Sequence, residues 1–304
     1  MRCPSCASLE TVIKGDIPQT IFFADHKLSA PSGPSSLFRC RTCGLSFRSP
    51  RPDPEMLRSS YKRIDPGTHW RSDFSARRDW VLAKALVGRS FPEGSILDIG
   101  CWDGAFLDGF RNGWKRHGIE INPLAAGLAV SKGISLVAGD VSELDALSSC
   151  FDVITAFDMV EHTSDPLAFL RSMVKRLNPA GLIIASSGNT DSGAFKFMGS
   201  RYYYYSNPEH ISFINPLWCR RAASRAGLRL EAMESFSHAN KRSLAARSGA
   251  LGRNLLYAAV PRSFARLRMA KYRETDRTLR KGYGYPPSWL TANDHLLAVF
   301  RGGR

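Results

Sequence analysis

Short apolar runs recur along the middle of the chain, and each ends in a polar or acidic residue. They are Ile96–Ile99, the stretch GWKRHGIEIN (113–122), ISLVAGD (134–140), FDVITAFDMVEH (151–162) and GLIIASS (181–187). Stretches of helical spacing separate them, and strands alternating with helices predict a doubly wound α/β fold with parallel strands and crossover helices. GLRLEAM (227–233) and HLLAVF (295–300) predict two further strands. Near the N-terminus TVIKG and TIFFADHKL predict short strands, and the Pro/Ser/Gly tract APSGPSS reads as a loop. A Pro-rich exit, SPRPDP (49–54), leads into helical stretches carrying Tyr61, Trp70 and Trp80. The expected organisation is an N-terminal module over 1–50, a linker with docking helices over 51–90, and a large domain over 91–304. Within that domain, 234–290 forms a basic helical insertion before the last strand. The run Tyr202–Tyr205 is expected in extended chain, with Tyr202 and Tyr204 on one face and Tyr203 and Tyr205 on the other.

Composition changes this picture little. At 304 residues, with 43% hydrophobic and 23% charged residues, the chain suits one large globular domain with a small companion and excludes a disordered or fibrous design. No apolar h-region opens the chain and no run approaches a membrane span, so a cytoplasmic protein is expected. Charge adds more. Of the net +15, ten units fall between Lys241 and Lys281, where twelve Lys or Arg face only Glu274 and Asp276. An anionic partner is implied there: nucleic acid, a phosphorylated substrate or a phospholipid surface. The mix of short apolar runs with Arg and Lys in this segment adds the expectation of a peripheral place at the inner membrane surface.

Seven cysteines, an odd number, argue against a disulfide scaffold and for a reducing compartment. Cys3-Pro-Ser-Cys6 and Cys40-Arg-Thr-Cys43 are two knuckles that can aim four thiolates at one tetrahedral ion. A closed set of four sulfurs is the structural kind of zinc site, so a zinc ribbon is expected, with His26 left as a loop residue.

The most informative segment is GSILDIGCWDGAFLDGF (94–110): a strand carrying Asp98, a turn at Gly100 and a helix expected from Gly104. Neither nucleotide-phosphate motif is present. The pattern resembles the D-x-G-x-G-x-G turn of class I S-adenosylmethionine-dependent methyltransferases, with Trp102 at the middle glycine position. Glu120, about twenty residues beyond Asp98, sits where a carboxylate accepts both ribose hydroxyl protons in doubly wound folds. Asp140, at the end of the third strand, falls where that family holds the adenine amino group. The resemblance implies S-adenosylmethionine as cofactor, bound by Asp98, Gly100, Cys101, Trp102, Gly104, Glu120, Ile121, Asp140, Val141 and Phe157, with Tyr61 from the docking helix. It also implies a Rossmann-like sheet whose last two strands form an antiparallel end.

Two histidines lie beside this region. His162 ends Asp158-Met-Val-Glu-His, and His210 ends Asn207-Pro-Glu-His. Tyr205-Ser-Asn-Pro-Glu209-His210 is similar to the Tyr-x-x-x-Glu-His arrangement that supplies the base in zinc-containing sugar C-methyltransferases. The resemblance therefore implies His210 as the general base, oriented by Glu209 beside Tyr205, with His162 in chemistry or in support. The fuller similarity is to shorter zinc-ribbon methyltransferases of bacterial cell-surface saccharide and small-molecule pathways, so a saccharide or nucleotide- or lipid-linked sugar acceptor is expected. A zinc-containing RNA methyltransferase is the alternative, weakened because Phe157-Asp-Met-Val stands in place of [DNS]-P-P-[YFW]. A non-catalytic cofactor-binding protein is the remaining alternative.

Overall fold

A computed structural model of the chain describes residues 1–20, 22–23, 26–27, 32–67, 77–110, 112–238, 243–271, 286–289 and 292–303. The N-terminal strands are β1 (Thr11–Ile17), β2 (Phe22–Phe23), β3 (His26–Lys27), β4 (Ser35–Cys40) and β5 (Ser46–Ser49). Two helices follow, α1 (Pro54–Lys62) and α2 (Arg78–Ser90). The central part carries β6 (Gly94–Ile99), β7 (Trp114–Ile119), α3 (Pro123–Ser131), β8 (Ser135–Ala138), β9 (Phe151–Phe157), α4 (Pro166–Lys175) and β10 (Leu177–Gly188). Beyond it come the short helices α5 (Gly193–Met198) and α6 (Tyr203–Ser206), then β11 (Ser212–Phe213), α7 (Pro216–Arg225) and β12 (Arg229–Phe236). The chain closes through α8 (Leu244–Ala259), α9 (Pro261–Lys271) and β13 (His295–Arg301).

The main sheet runs β12-β13-β10-β9-β6-β7-β8. β8, β7, β6, β9 and β10 pair in parallel, and β13 enters antiparallel between β10 and β12. The strand order turns at β6 and β9, the switch point where a ligand crevice opens beyond the carboxyl ends in doubly wound folds. Ile96, Leu97, Val153, Ile154, Ile183 and Ile184 are wholly buried, as the inner strands of a sheet covered on both faces must be. The expected Rossmann-like sheet with its antiparallel end is what forms.

Four helices share one starting device. Asp53, Asn122, Asp165 and Asn215 each accept first-turn N–H groups through the side chain, and a proline follows as the first helical residue. The proline gives up an N–H that has no partner there anyway. In α3 and α4 this fixes where the helix starts after a strand of the main sheet, and in α1 and α7 after a strand of the N-terminal sheet.

Three local expectations change. The loop tract at 30–36 gives its last two residues to β4, because Ser35 and Ser36 pair with β1. No α-helix begins at Gly104; after a turn only one 3-10 turn forms over Leu107–Gly109. The tyrosine run is not extended: Tyr203–Ser206 is a helical turn, so the two-by-two division of the rings fails. Trp70, the side chain of His26 and residues 241–242 and 272–285 lie outside the described residues.

The ribbon sheet, β1-β4-β5-β11, takes its fourth strand from residues far along the chain. Ser212 and Phe213 pair with Phe47 and Ser46. The Trp218 indole N–H donates to Ser5 Oγ at 2.9 Å, and the ribbon cysteines share a core cluster with the main sheet.

Gly104 is held at φ +73°, and a Cβ there would lie 2.1 Å from Ile134 Cδ1 and 3.3 Å from Ala129 Cα. Gly104→Ala is therefore expected to cost about 1–3 kcal/mol, read as a lower denaturant midpoint with an unchanged slope.

Candidate active site

A cavity of about 1080 Å³ opens at the carboxyl edge of β6, β7 and β9. One end is acidic. Asp98, near the end of β6, accepts the Thr155 hydroxyl at 2.7 Å, and burial pushes its carboxyl up to about 7. Glu120 follows β7 and accepts the Trp102 N–H at 2.9 Å and the Asn122 N–H at 2.8 Å. Burial raises Glu120 as well, against those backbone bonds. Asp140 caps the turn after β8 through the Ser142 N–H and lies 3.6 Å from Arg58 of α1. Burial opposes its ionisation, but the Ser142 bonds and the Arg58 and Lys62 charges outweigh it and hold the carboxylate low. Gly100, Trp102 and Tyr61 complete this end. Trp102 is held in the left-handed region at φ +49° and packs with Tyr61 against the Phe23–Leu57–Ile64 cluster.

The other end is built on the turn after β9. Asp158 sits at φ +51° and pairs with Arg77 at 2.8 Å, which with His238 holds its carboxylate well below the usual range despite burial. Glu161 is wholly buried. Its carboxylate accepts the Ser187 hydroxyl at 2.8 Å and the Tyr204 hydroxyl, and burial together with the Asp158 charge pushes it up to about 7. His162 places Nδ1 2.8 Å from the Tyr61 hydroxyl and 3.1 Å from the Glu209 carbonyl. His210 places Nδ1 2.9 Å from the Tyr204 carbonyl. A carbonyl only accepts, so both rings carry the proton on Nδ1 and leave the lone pair on Nε2. Burial lowers both histidines, His210 far more, so both are neutral bases at ordinary pH. Their rings meet edge to face at 5.0 Å.

In the ribbon, Cys3 and Cys43 sulfurs lie 3.6 Å apart, and Cys6 and Cys40 sulfurs 3.5 Å. Zinc–sulfur bonds of about 2.3 Å imply tetrahedral edges of about 3.8 Å, so the four thiols already stand close to the spacing of a closed zinc site. They are too far apart for disulfides.

A family model described as a methyltransferase domain matches residues 69–233. The chain belongs to this methyltransferase family. It is 28% identical over 179 residues to a ubiquinone biosynthesis O-methyltransferase of Aeromonas salmonicida, covering 54% of this chain and 73% of that one. The corresponding enzyme of Ralstonia nicotianae is 29% identical over 169 residues, covering 50% and 68%. Among solved structures, the N-methyltransferase NodS of Bradyrhizobium japonicum in complex with S-adenosyl-L-homocysteine aligns with a TM-score of 0.46 at 16% identity, over 82% of this chain and 98% of that one.

The methyltransferase is S-adenosylmethionine-dependent, and its acidic end fits that cofactor. Backbone N–H groups of Trp102 and Asn122 orient the Glu120 carboxylate, which lines the cavity. Of the expected cofactor residues, Asp98, Gly100, Cys101 and Trp102 line the cavity, as do Glu120, Ile121, Asp140, Val141, Phe157 and Tyr61. Gly104 does not; it packs behind the loop on Ile134. Of the expected catalytic residues, His162, Glu209 and His210 line the same cavity, whereas Tyr205 points away. Its ring packs on Phe195 and Phe213 because the helical turn rotates it off the face that Tyr203 and Tyr204 present. Arg77, Asp158, His238 and His295 also line the cavity without having been expected as site residues. The Asp158 and Glu161 pair is at least visible beside His162, but His238 and His295 are brought together across an insertion and no spacing could signal them.

Asp98 takes up its proton between the unfolded carboxyl value near 4 and its folded value near 7, so its stabilising contribution is present at acid pH and is lost as pH rises through 7. Asp98→Asn is therefore expected to gain stability relative to the parent between pH 5 and pH 8, by a few kcal/mol, in paired denaturant titrations.

Proposed function

We propose that the chain transfers the cofactor's methyl group to a hydroxyl oxygen of a ring-bearing small molecule, with His162 as general base. The observation that carries this reading is the His162 ring, which lines the same cavity as Glu120 and is anchored through Nδ1 at 3.1 Å from the Glu209 carbonyl. The sulfonium supplies an electrophilic methyl group when the cofactor is bound. Glu120 and Asp140 hold its nucleoside end, and Phe157, Trp80, Tyr203 and Tyr204 offer aromatic faces to the acceptor. His162 takes the hydroxyl proton on Nε2, while the Glu209 carbonyl and Tyr61 hydroxyl keep its Nδ1–H in place. His162 is preferred to His210 because it is only half-buried, whereas His210 is 8% exposed. His210 acts as a positioning residue, through its edge-to-face contact with His162.

The O-methyltransferase names of the relatives support transfer to oxygen. A saccharide or an aromatic hydroxyl compound both suit the aromatic lining, and a cytoplasmic enzyme suits the free thiols. Among the described residues no helix is long and apolar enough to cross a membrane. Zinc in the Cys3–Cys6–Cys40–Cys43 site is part of the proposal. The ribbon reaches the acceptor end, because buried Arg48 of β5 donates to the carbonyls of Tyr205 and Asn207, the second at 2.9 Å.

With labelled cofactor and a panel of phenolic and saccharide acceptors, His162→Ala is expected to lower turnover about 10²–10⁴-fold with cofactor affinity unchanged. His162→Ala with an unchanged rate would overturn the assignment. Since burial lowers His162, the acid limb of the pH–rate profile is expected below the ordinary histidine range. Zinc removal by a chelator is expected to lower the ribbon's stability and turnover together, with metal content and melting followed in parallel.

A further inference from the structure

The insertion between β12 and β13 leaves and re-enters the sheet at the rim of the cavity. His238, just after β12, and His295, the first residue of β13, both line it. The first helix of the insertion, α8, has two apolar faces. Ala250, Asn254 and Tyr257, spaced i, i+4, i+7, are buried. Tyr257 joins Phe264 of α9 in the cluster that holds Tyr202, Tyr204 and Tyr205. The second face looks outward. Leu244, Leu251 and Leu255, spaced i, i+7, i+11, fall within an arc of about 40° on the helix, and Leu244 is 79% exposed. Leu256, Val260 after the end of α8, and Leu267 of α9 are exposed as well.

By the same spacing Arg247 lies about 60° from this stripe, whereas Arg253 falls on the opposite side of α8, and Arg262 and Arg266 stand on α9. All four are exposed, and none of them forms an ion pair among the described residues. No Asp or Glu occurs from Ser243 to Lys271. Guanidinium groups alone would suit any polyanion. Exposed leucines between them suit a partner with negative charge at its surface and an apolar interior beneath.

We propose that α8 and α9 lie on an anionic phospholipid bilayer, with the leucine stripe among the upper acyl carbons and the arginines at the phosphates. The tyrosine cluster beneath the helices then carries the cavity rim against the bilayer. Resting on the proposed methyl transfer, this makes the acceptor an amphiphile that presents its hydroxyl from the membrane.

The test is vesicle flotation of the full chain, with phosphatidylcholine alone or mixed with phosphatidylglycerol. Two variants accompany it: Leu244→Ser/Leu251→Ser/Leu255→Ser and Arg247→Gln/Arg262→Gln/Arg266→Gln. Binding is expected only to the mixed vesicles and to weaken with salt. Each variant is expected to bind at least about tenfold more weakly while its thermal transition is unchanged. No binding to the mixed vesicles, or equal binding to both kinds, overturns the proposal. So does a leucine variant that binds like the parent, which would mark a surface for polyanions such as nucleic acid. Cofactor affinity, measured on the same samples, separates the two readings: its absence in a chain that still floats would strike the methyltransferase reading of the cavity and leave the membrane surface standing.

Discussion

A carboxylate with no exposure to water holds one end of the cavity together. Glu161 accepts the Ser187 hydroxyl from β10 and the Tyr204 hydroxyl from the segment beyond α5, and its own carbonyl takes the Ile211 N–H at 2.8 Å. The Tyr204 hydroxyl also takes the Gly188 N–H at 3.0 Å, so one ring ties the end of β10 to the turn after β9. A buried carboxyl left without these bonds would cost several kcal/mol, so the surrounding chain is obliged to supply them. Placing Tyr204 in this way places its carbonyl, which fixes His210, and places Glu209, whose carbonyl fixes His162.

From that constraint the division of labour in the cavity follows. The nucleoside end uses strand termini, where Asp98, Glu120 and Asp140 are oriented by Thr155, by backbone N–H groups and by a turn cap. The acceptor end uses a folded-back segment instead, and it needs outside support. Arg48 supplies part of it from the ribbon, and β11 pairs with β5 immediately after His210. The ribbon thus braces this end of the cavity and shares its core with the main sheet.

The acids at the carboxyl edge of the sheet are legible in the sequence for a physical reason. Inner parallel strands are buried on both faces and read as short apolar runs, so the acids at their ends stand out. The convergence of the four cysteines is legible because each Cys-x-x-Cys turn aims two sulfurs at one point. Tyr202–Tyr205 was misread because four identical residues carry no periodicity. Burial of Tyr202 against Asp294 and of Tyr204 against Glu161 selects a helical turn that alternation could not show. The missing helix after Gly104 reflects the glycines at 109 and 113, which leave room for only a 3-10 turn before β7. The Asp294–His295 pair is adjacent in sequence and 2.9 Å apart, with His295 raised to about 9 by the Asp294 carboxylate against burial; what the sequence does not show is its place at the cavity, set by the register of β13 between β10 and β12.

The most direct test of this account is a crystal structure of the full chain with S-adenosylhomocysteine. The account predicts the ribose hydroxyls on the Glu120 carboxylate, with the sulfur directed along the cavity toward His162. A ligand bound outside this cavity, or one whose sulfur faces away from the His162–His210 pair, would contradict it.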